Sequence, residues 1–173
     1  MKLDERSEME GSPPEREDAP GLPAEVLGEL CGPRLFVLAT ASPEGVPTTT
    51  LVSWMCAVGP SRLAIALDHR GLAYRNAIEN PVAALEVTLP TFSATLRGTL
   101  SLAREQLASA PFCCAGFHFD VVEIRDHGVP TSLLRPATYE YVEAKREYAV
   151  REAEIVAELR SLPEPSLAAV RSG

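Results

Sequence analysis

The stretch Leu35-Phe-Val-Leu-Ala-Thr-Ala-Ser-Pro-Glu-Gly-Val-Pro-Thr-Thr-Thr-Leu-Val-Ser-Trp54, with its continuation to Arg75-Asn-Ala-Ile-Glu-Asn-Pro81, decides the fold. Leu35 to Thr40 is nearly all apolar, which predicts a first strand covered on both faces. Ser42-Pro43-Glu44-Gly45 is turn chemistry: proline presets one position and glycine supplies the left-handed one. Val46 to Val58 is rich in β-branched residues and reads as one long second strand. Gly59-Pro60-Ser61 turns it, and Leu63 to Leu67 forms a third. Gly71 to Glu79 follows as a short helix, ended at Asn80-Pro81 because the residue before proline disfavours the helical region. This order predicts a small antiparallel barrel with a ligand groove on its outside.

Outward from that stretch, Pro23 to Leu30 reads as a short helix stopped by Gly32-Pro33. Val82 to Leu89 and Ser93 to Leu102 form a hairpin across Pro90-Thr91, and Ala103 to Ala110 a short helix or helical turn. Phe117 to Arg125 alternates, with Phe117, Phe119 and Val121 on one face and His118, Asp120 and Val122 on the other. Asp126-His127-Gly128 is a turn. Pro136 to Leu162 is the longest helical signal, with Tyr141, Tyr148, Ile155 and Leu162 at seven-residue spacing beside Val142, Ala149 and Val156. That stripe packs either on its own barrel or on a second copy; Glu147 and Arg151 support the outer face. Residues 1–21, acidic and rich in proline, are expected to be disordered. The chain therefore divides into an acidic tail (1–21), a barrel domain (22–135), an amphipathic helix (136–162) and a frayed end (163–173). The fold class is mostly β, with about six antiparallel strands and flanking helices; closure removes exposed edges.

The 173 residues carry a formal charge of -8. That balance argues against nucleic-acid and anionic-membrane partners, which need a basic face. No apolar run reaches the roughly 18 residues of a membrane span, and no apolar signal core opens the chain, so a cytoplasmic protein is expected. Cys31, Cys56, Cys113 and Cys114 form no C-x-x-C pair and read as buried free thiols of a reducing compartment. His69, His118 and His127 have no metal-site spacing. His118 and Asp120, two apart on one strand face, share a ligand or proton or are simply satisfied separately. No nucleophile-elbow or glycine-rich phosphate motif occurs.

Leu38-Ala-Thr-Ala-Ser-Pro-Glu-Gly-Val-Pro47, the spacing to Arg75-Asn76, the close at Glu79-Asn80-Pro81-Val82, and Arg97-Gly98-Thr99 together resemble the flavin-binding split-barrel proteins, the pyridoxamine-5'-phosphate-oxidase-like superfamily. The likeness runs from about Pro23 to Ile124. It implies a six-stranded split barrel and a homodimer with FMN at the subunit boundary. It places Thr50, Leu51, Val52, Ser53 and Trp54 beside the isoalloxazine, with Trp54 either covering the ring or serving as an ordinary core or interface residue. It places Leu67, Asp68, His69, Arg70, Arg75 and Asn76 around the phosphate. The oxidases proper clamp that phosphate with cations, whereas the matching positions here are Thr50, Met55, Leu72 and Ala73. Arg70 and Arg75, with the amides opening the helix, would be the substitutes, unless they are solvated surface. The resemblance implies a flavin-dependent oxidoreductase that transfers hydride through the flavin N5. F420 or haem as cofactor, or a non-catalytic binding module, are the alternatives. Pyridoxamine phosphate oxidation itself is not implied, because the carboxyl-terminal region has no match.

Overall fold

The computed structural model describes residues 20–128 and 133–164. The expected acidic tail, apart from its last two residues, and the chain end from 165 onward lie outside the described residues. The elements are α1 (Ala24–Glu29), β1 (Phe36–Ala41), β2 (Pro47–Val52), β3 (Met55–Gly59), β4 (Arg62–Asp68), α2 (Leu72–Glu79), β5 (Val82–Leu89), β6 (Phe92–Arg104), β7 (Cys114–Asp126), a 3-10 turn (Glu143–Lys145) and α3 (Glu147–Arg160).

All seven strands form one antiparallel sheet in the order β2-β1-β5-β6-β7-β4-β3. The 13-residue strands β6 and β7 are its spine. One wing runs through β5 and β1 to β2, the other through β4 to β3. These outermost strands are consecutive in sequence, with only Ser53 and Trp54 between them. A two-residue connection cannot span an open sheet, so the sheet must curl until its edges meet. No ladder joins those edges among the described residues, and the result is a split rather than a closed barrel.

Seven strands replace the expected six because Val46 to Val58 is two strands. Val52 still pairs with Phe36 on β1, whereas Met55 already pairs with Ile65 on β4. The chain must change ladders in between. The Met55 N–H donates to the Ser53 carbonyl at 3.1 Å, and the Ala66 N–H donates to the Trp54 carbonyl at 3.0 Å, which fixes the crossing.

Phe36, Leu38, Leu85, Val87, Leu96, Phe117 and Phe119 fill the interior. β1 is not covered on both faces: Val37 is 38% exposed beside its cross-strand partner Leu51, 64% exposed. The Ser42–Gly45 turn forms as expected, with Gly45 at φ 82° and its N–H donating to the Ser42 carbonyl. α2 is held to β1 by the buried Asn76, whose Nδ2 donates to Thr40 Oγ1 at 3.0 Å.

The carboxyl-terminal region departs from expectation. Residues 136–142 are not helical. The Leu35 N–H donates to the Ala137 carbonyl at 2.9 Å, and the Tyr139 N–H donates to the Pro33 carbonyl at 3.2 Å. Unpaired backbone groups just before β1 thus draw this segment into an extended strap, which outweighs its helical pattern. Tyr141 leaves the expected stripe, and its hydroxyl donates to the buried Glu152 at 3.1 Å. Ile155, Val156, Leu159 and Leu162 pack on Cys56 and Ala64 of the same chain. The segment 103–110 is not a helix either: β6 runs on to Arg104 and an irregular loop follows. Among the described residues, no helix is long and apolar enough to cross a membrane.

Gly98 sits where the β6–β7 register shifts. A Cβ there would lie 2.1 Å from the Asp120 carbonyl oxygen and 2.9 Å from the Phe119 ring. Backbone cannot yield as a flexible side chain can. Gly98→Ala is therefore expected to lower stability by at least about 2 kcal/mol, read as a fall in the urea midpoint with an unchanged slope.

Candidate functional site

The split itself forms a cleft. Its floor and walls are Thr50, Leu51, Val52, Ser53 and Trp54 from β2 and the crossing, and Ala66, Leu67 and Asp68 from β4. Gly71 and Ala73 at the start of α2, and Phe112 and Cys114 before and on β7, complete it. The cavity is about 200 Å³, smaller than the roughly 300–1,000 Å³ that encloses a typical organic ligand.

Seven expected site residues line this cleft: Thr50 to Trp54, Leu67 and Asp68. The other four do not. Asn76 is committed to Thr40 in the core. Arg75 is exposed on the outer side of α2. The His69 ring stacks on Tyr74 with centroids 4.5 Å apart, and its Nε2 lies 2.7 Å from the Glu105 carbonyl. Arg70 is held at the mouth by Asp68: its Nη2 donates to Oδ2 at 2.7 Å, its Nε to Oδ1 at 3.0 Å, and its backbone N–H to Oδ1 at 2.9 Å. Those contacts from Arg70 hold the Asp68 carboxyl below its usual range. Of the uncharged clamp positions, Thr50 and Ala73 line the cleft, Met55 is fully buried in the core, and Leu72 is exposed.

Phe112 was not legible from sequence. Its ring stacks on Trp54 with centroids 5.4 Å apart, and the Arg70 guanidinium carbon lies 5.6 Å from its centroid. It belongs to the loop after β6, where no period marks a role. Cys114, also missed, lines the cleft with its pKa raised to about 12 by burial and then by the Asp68 charge.

β2 is an edge strand, so part of its backbone polarity has no ladder partner on the cleft side. A planar heteroaromatic edge can pair with such groups, and Trp54 offers an aromatic face. The flavin ring therefore fits this donor set. The phosphate fits only by capturing Arg70 from Asp68. Arg70 is 78% exposed, and surface ion pairs are worth about 0–1 kcal/mol, so the exchange costs little. The three imidazoles point elsewhere through Nε2: those of His69 and His118 face carbonyl oxygens of Glu105 and Pro163, and that of His127 lies 3.0 Å from Thr95 Oγ1. His118 and Asp120 have separate partners: Asp120 pairs with Arg62, and His118 Nε2 faces the Pro163 carbonyl. The described residues contain no cluster of three or more His, Cys, Asp or Glu side chains placed to hold a metal ion.

A second cavity of about 600 Å³ lies between the strap and α3, lined by Tyr139, Tyr141, Arg146, Glu152 and Arg160 among others. None of the expected site residues reaches it.

No family model matches the chain, and no curated protein matches it. Solved structures do. HupZ of Group A Streptococcus aligns with a TM-score of 0.53 at 13% identity, over 66% of this chain and 100% of that one. A variant of the same protein gives 0.51 at 15%, over 60% and 98%. A Lactobacillus delbrueckii protein named for pyridoxamine 5'-phosphate oxidase gives 0.52 at 22%, over 62% and 95%. At such identities the likeness concerns the fold alone. The fold shared with these structures is a split barrel, as the motif resemblance implied.

The loop that carries Phe112 is anchored by Glu158 of α3. Its carboxylate accepts the Ala108 and Ser109 N–H groups at 2.9 Å each, the Ser109 hydroxyl, and Arg104 Nη1 at 2.8 Å. Burial, the largest influence, pushes its pKa up, but these donors outweigh it and hold the value at about 2, against 4.5 when free. A depressed carboxylate stabilises the folded state above its unfolded pKa and loses that contribution as pH falls toward its folded one. Stability is therefore expected to drop between about pH 4.5 and pH 2, and Glu158→Gln to flatten that drop, measured by urea titration across the range.

Proposed function

We propose that the chain binds FMN in the split, with the isoalloxazine along Thr50–Trp54 and the phosphate at the start of α2, in a homodimer that completes the site. The observation that supports this most is the coincidence of the cleft with the β2 edge and the Trp54 crossing. The half-sized cavity and the open apolar pair Val37–Leu51 beside it support a second copy as the partner. A flavin bound there supplies hydride transfer at its N5. The protein's own part is to orient the ring through β2 backbone groups, cover one face with Trp54 and Phe112, and exclude water. On this reading the chain is a flavin-dependent oxidoreductase. The Asp68–Arg70 pair favours a second reading, a non-catalytic binding module, because an anion must first break that pair.

Trp54 is the single tryptophan of the chain, so its emission reports on the cleft alone. FMN is expected to quench it saturably. Asp68→Asn, which removes both the competitor for Arg70 and a repelling charge, is expected to tighten FMN about tenfold, or ~1.4 kcal/mol. Arg70→Ala is expected to weaken it by roughly 1.5–3 kcal/mol. Emission indifferent to FMN in both the wild type and Asp68→Asn would favour the binding-module reading.

A further inference from the structure

The four thiols are not equivalent buried residues. Cys113 is exposed, Cys31 half-buried, and Cys56 and Cys114 buried. Cys31 follows α1, and Cys56 lies on β3; Cys31 packs against the buried cluster under α3 that holds Cys56 with Ile155, Val156 and Leu159. Arg160 Nη2, at the end of α3, donates to Cys31 Sγ at 3.4 Å. Three separate parts of the chain thus bring two sulfurs and one permanent cation together. The surroundings give access to one sulfur only. Cys56 is fully buried, its Sγ 3.9 Å from the Val156 carbonyl. Arg160, Gly32 and Pro33 line the 600 Å³ cavity beside α3, so solvent reaches the edge where Cys31 sits.

We propose that Cys31 and Cys56 form a peroxide-sensitive dithiol, in which Cys31 is oxidised first and Cys56 resolves it to an intramolecular disulfide. The Cys31 thiolate attacks one oxygen of hydrogen peroxide; the O–O bond breaks, hydroxide leaves, and Cys31 becomes a sulfenic acid. The Cys56 sulfur then attacks the Cys31 sulfur. The S–O bond breaks, water leaves with the Cys56 proton, and an S–S bond forms. Two thiols are oxidised and one peroxide is reduced to two waters.

The electrostatics agree with that order. The neighbouring Cys56 thiol, reinforced by Arg160, holds the Cys31 thiol below its ordinary pKa against the opposing effect of burial. The same contact and its own burial push Cys56 up. A thiolate beside a cation at a solvent edge, backed by a protonated buried thiol, is the arrangement that redox-sensing cysteines use. The disulfide would tie the α1–β1 connection to β3.

The test uses the full-length reduced protein and a modest excess of hydrogen peroxide. Peptide mapping without reduction is expected to show a Cys31–Cys56 cross-link and a loss of about 2 Da, the two thiol hydrogens. In Cys56→Ala, Cys31 is expected to stop at a sulfenic acid captured by dimedone. In Arg160→Met, alkylation of Cys31 by iodoacetamide at neutral pH is expected to slow by about five- to tenfold. A cross-link through Cys113 or Cys114, or over-oxidation of Cys31 with Cys56 left reduced, would overturn the proposal. If Cys56→Ala does not fold, the wild-type map decides alone.

Discussion

β2 and β3 follow one another in the chain yet stand at opposite edges of the sheet, with Ser53 and Trp54 alone between them. The rest of the molecule is arranged around that constraint. It forces the sheet to curl, because two residues reach only about 7 Å. It brings the free edge of β2 against β4 without pairing them. The opening left there is the cleft, and Trp54, turned at the crossing, stands in its wall. The same event that shapes the barrel therefore makes the site, and no separate device is needed to build it.

Two further layers hold the opening in place. The Asn76–Thr40 hydrogen bond fixes α2 to β1, so the start of α2 stays at one end of the cleft. Glu158 fixes the loop after β6, so Phe112 stays against Trp54. The neutral Asn76–Thr40 contact acts on position more than on stability, because its desolvation offsets much of its attraction, whereas Glu158 contributes to both. The charges at the mouth already answer one another. Asp68 occupies Arg70 and adds a negative charge to the lining, so any anionic guest must compete with the protein's own carboxylate.

Most of the fold is legible in the residues between Leu35 and Pro81. The Ser42–Gly45 turn, the β-branched run that opens β2 and the Asn80-Pro81 stop are local signals, and local physics decides them. What was not legible depends on partners distant in sequence. The break at Ser53–Trp54 has no glycine or proline to announce it; it arises because Val52 pairs with β1 while Met55 pairs with β4. The strap at 136–142 carries a helical pattern and is extended because backbone groups near Pro33 and Leu35 capture it. At the site, sequence reasoning placed the β2 and β4 linings and missed Phe112. It also put Asn76 beside the phosphate, whereas in the structure its side chain is buried and Nδ2 donates to Thr40.

The central claim is that the unpaired β2 edge at the split is where a flavin pairs. Amide hydrogen exchange with and without FMN tests it most directly. Slowed exchange within Thr50 to Trp54, with β5 and β6 unchanged, is the predicted result. Slowed exchange confined to the cavity beside α3, or none anywhere at saturating FMN, would contradict it.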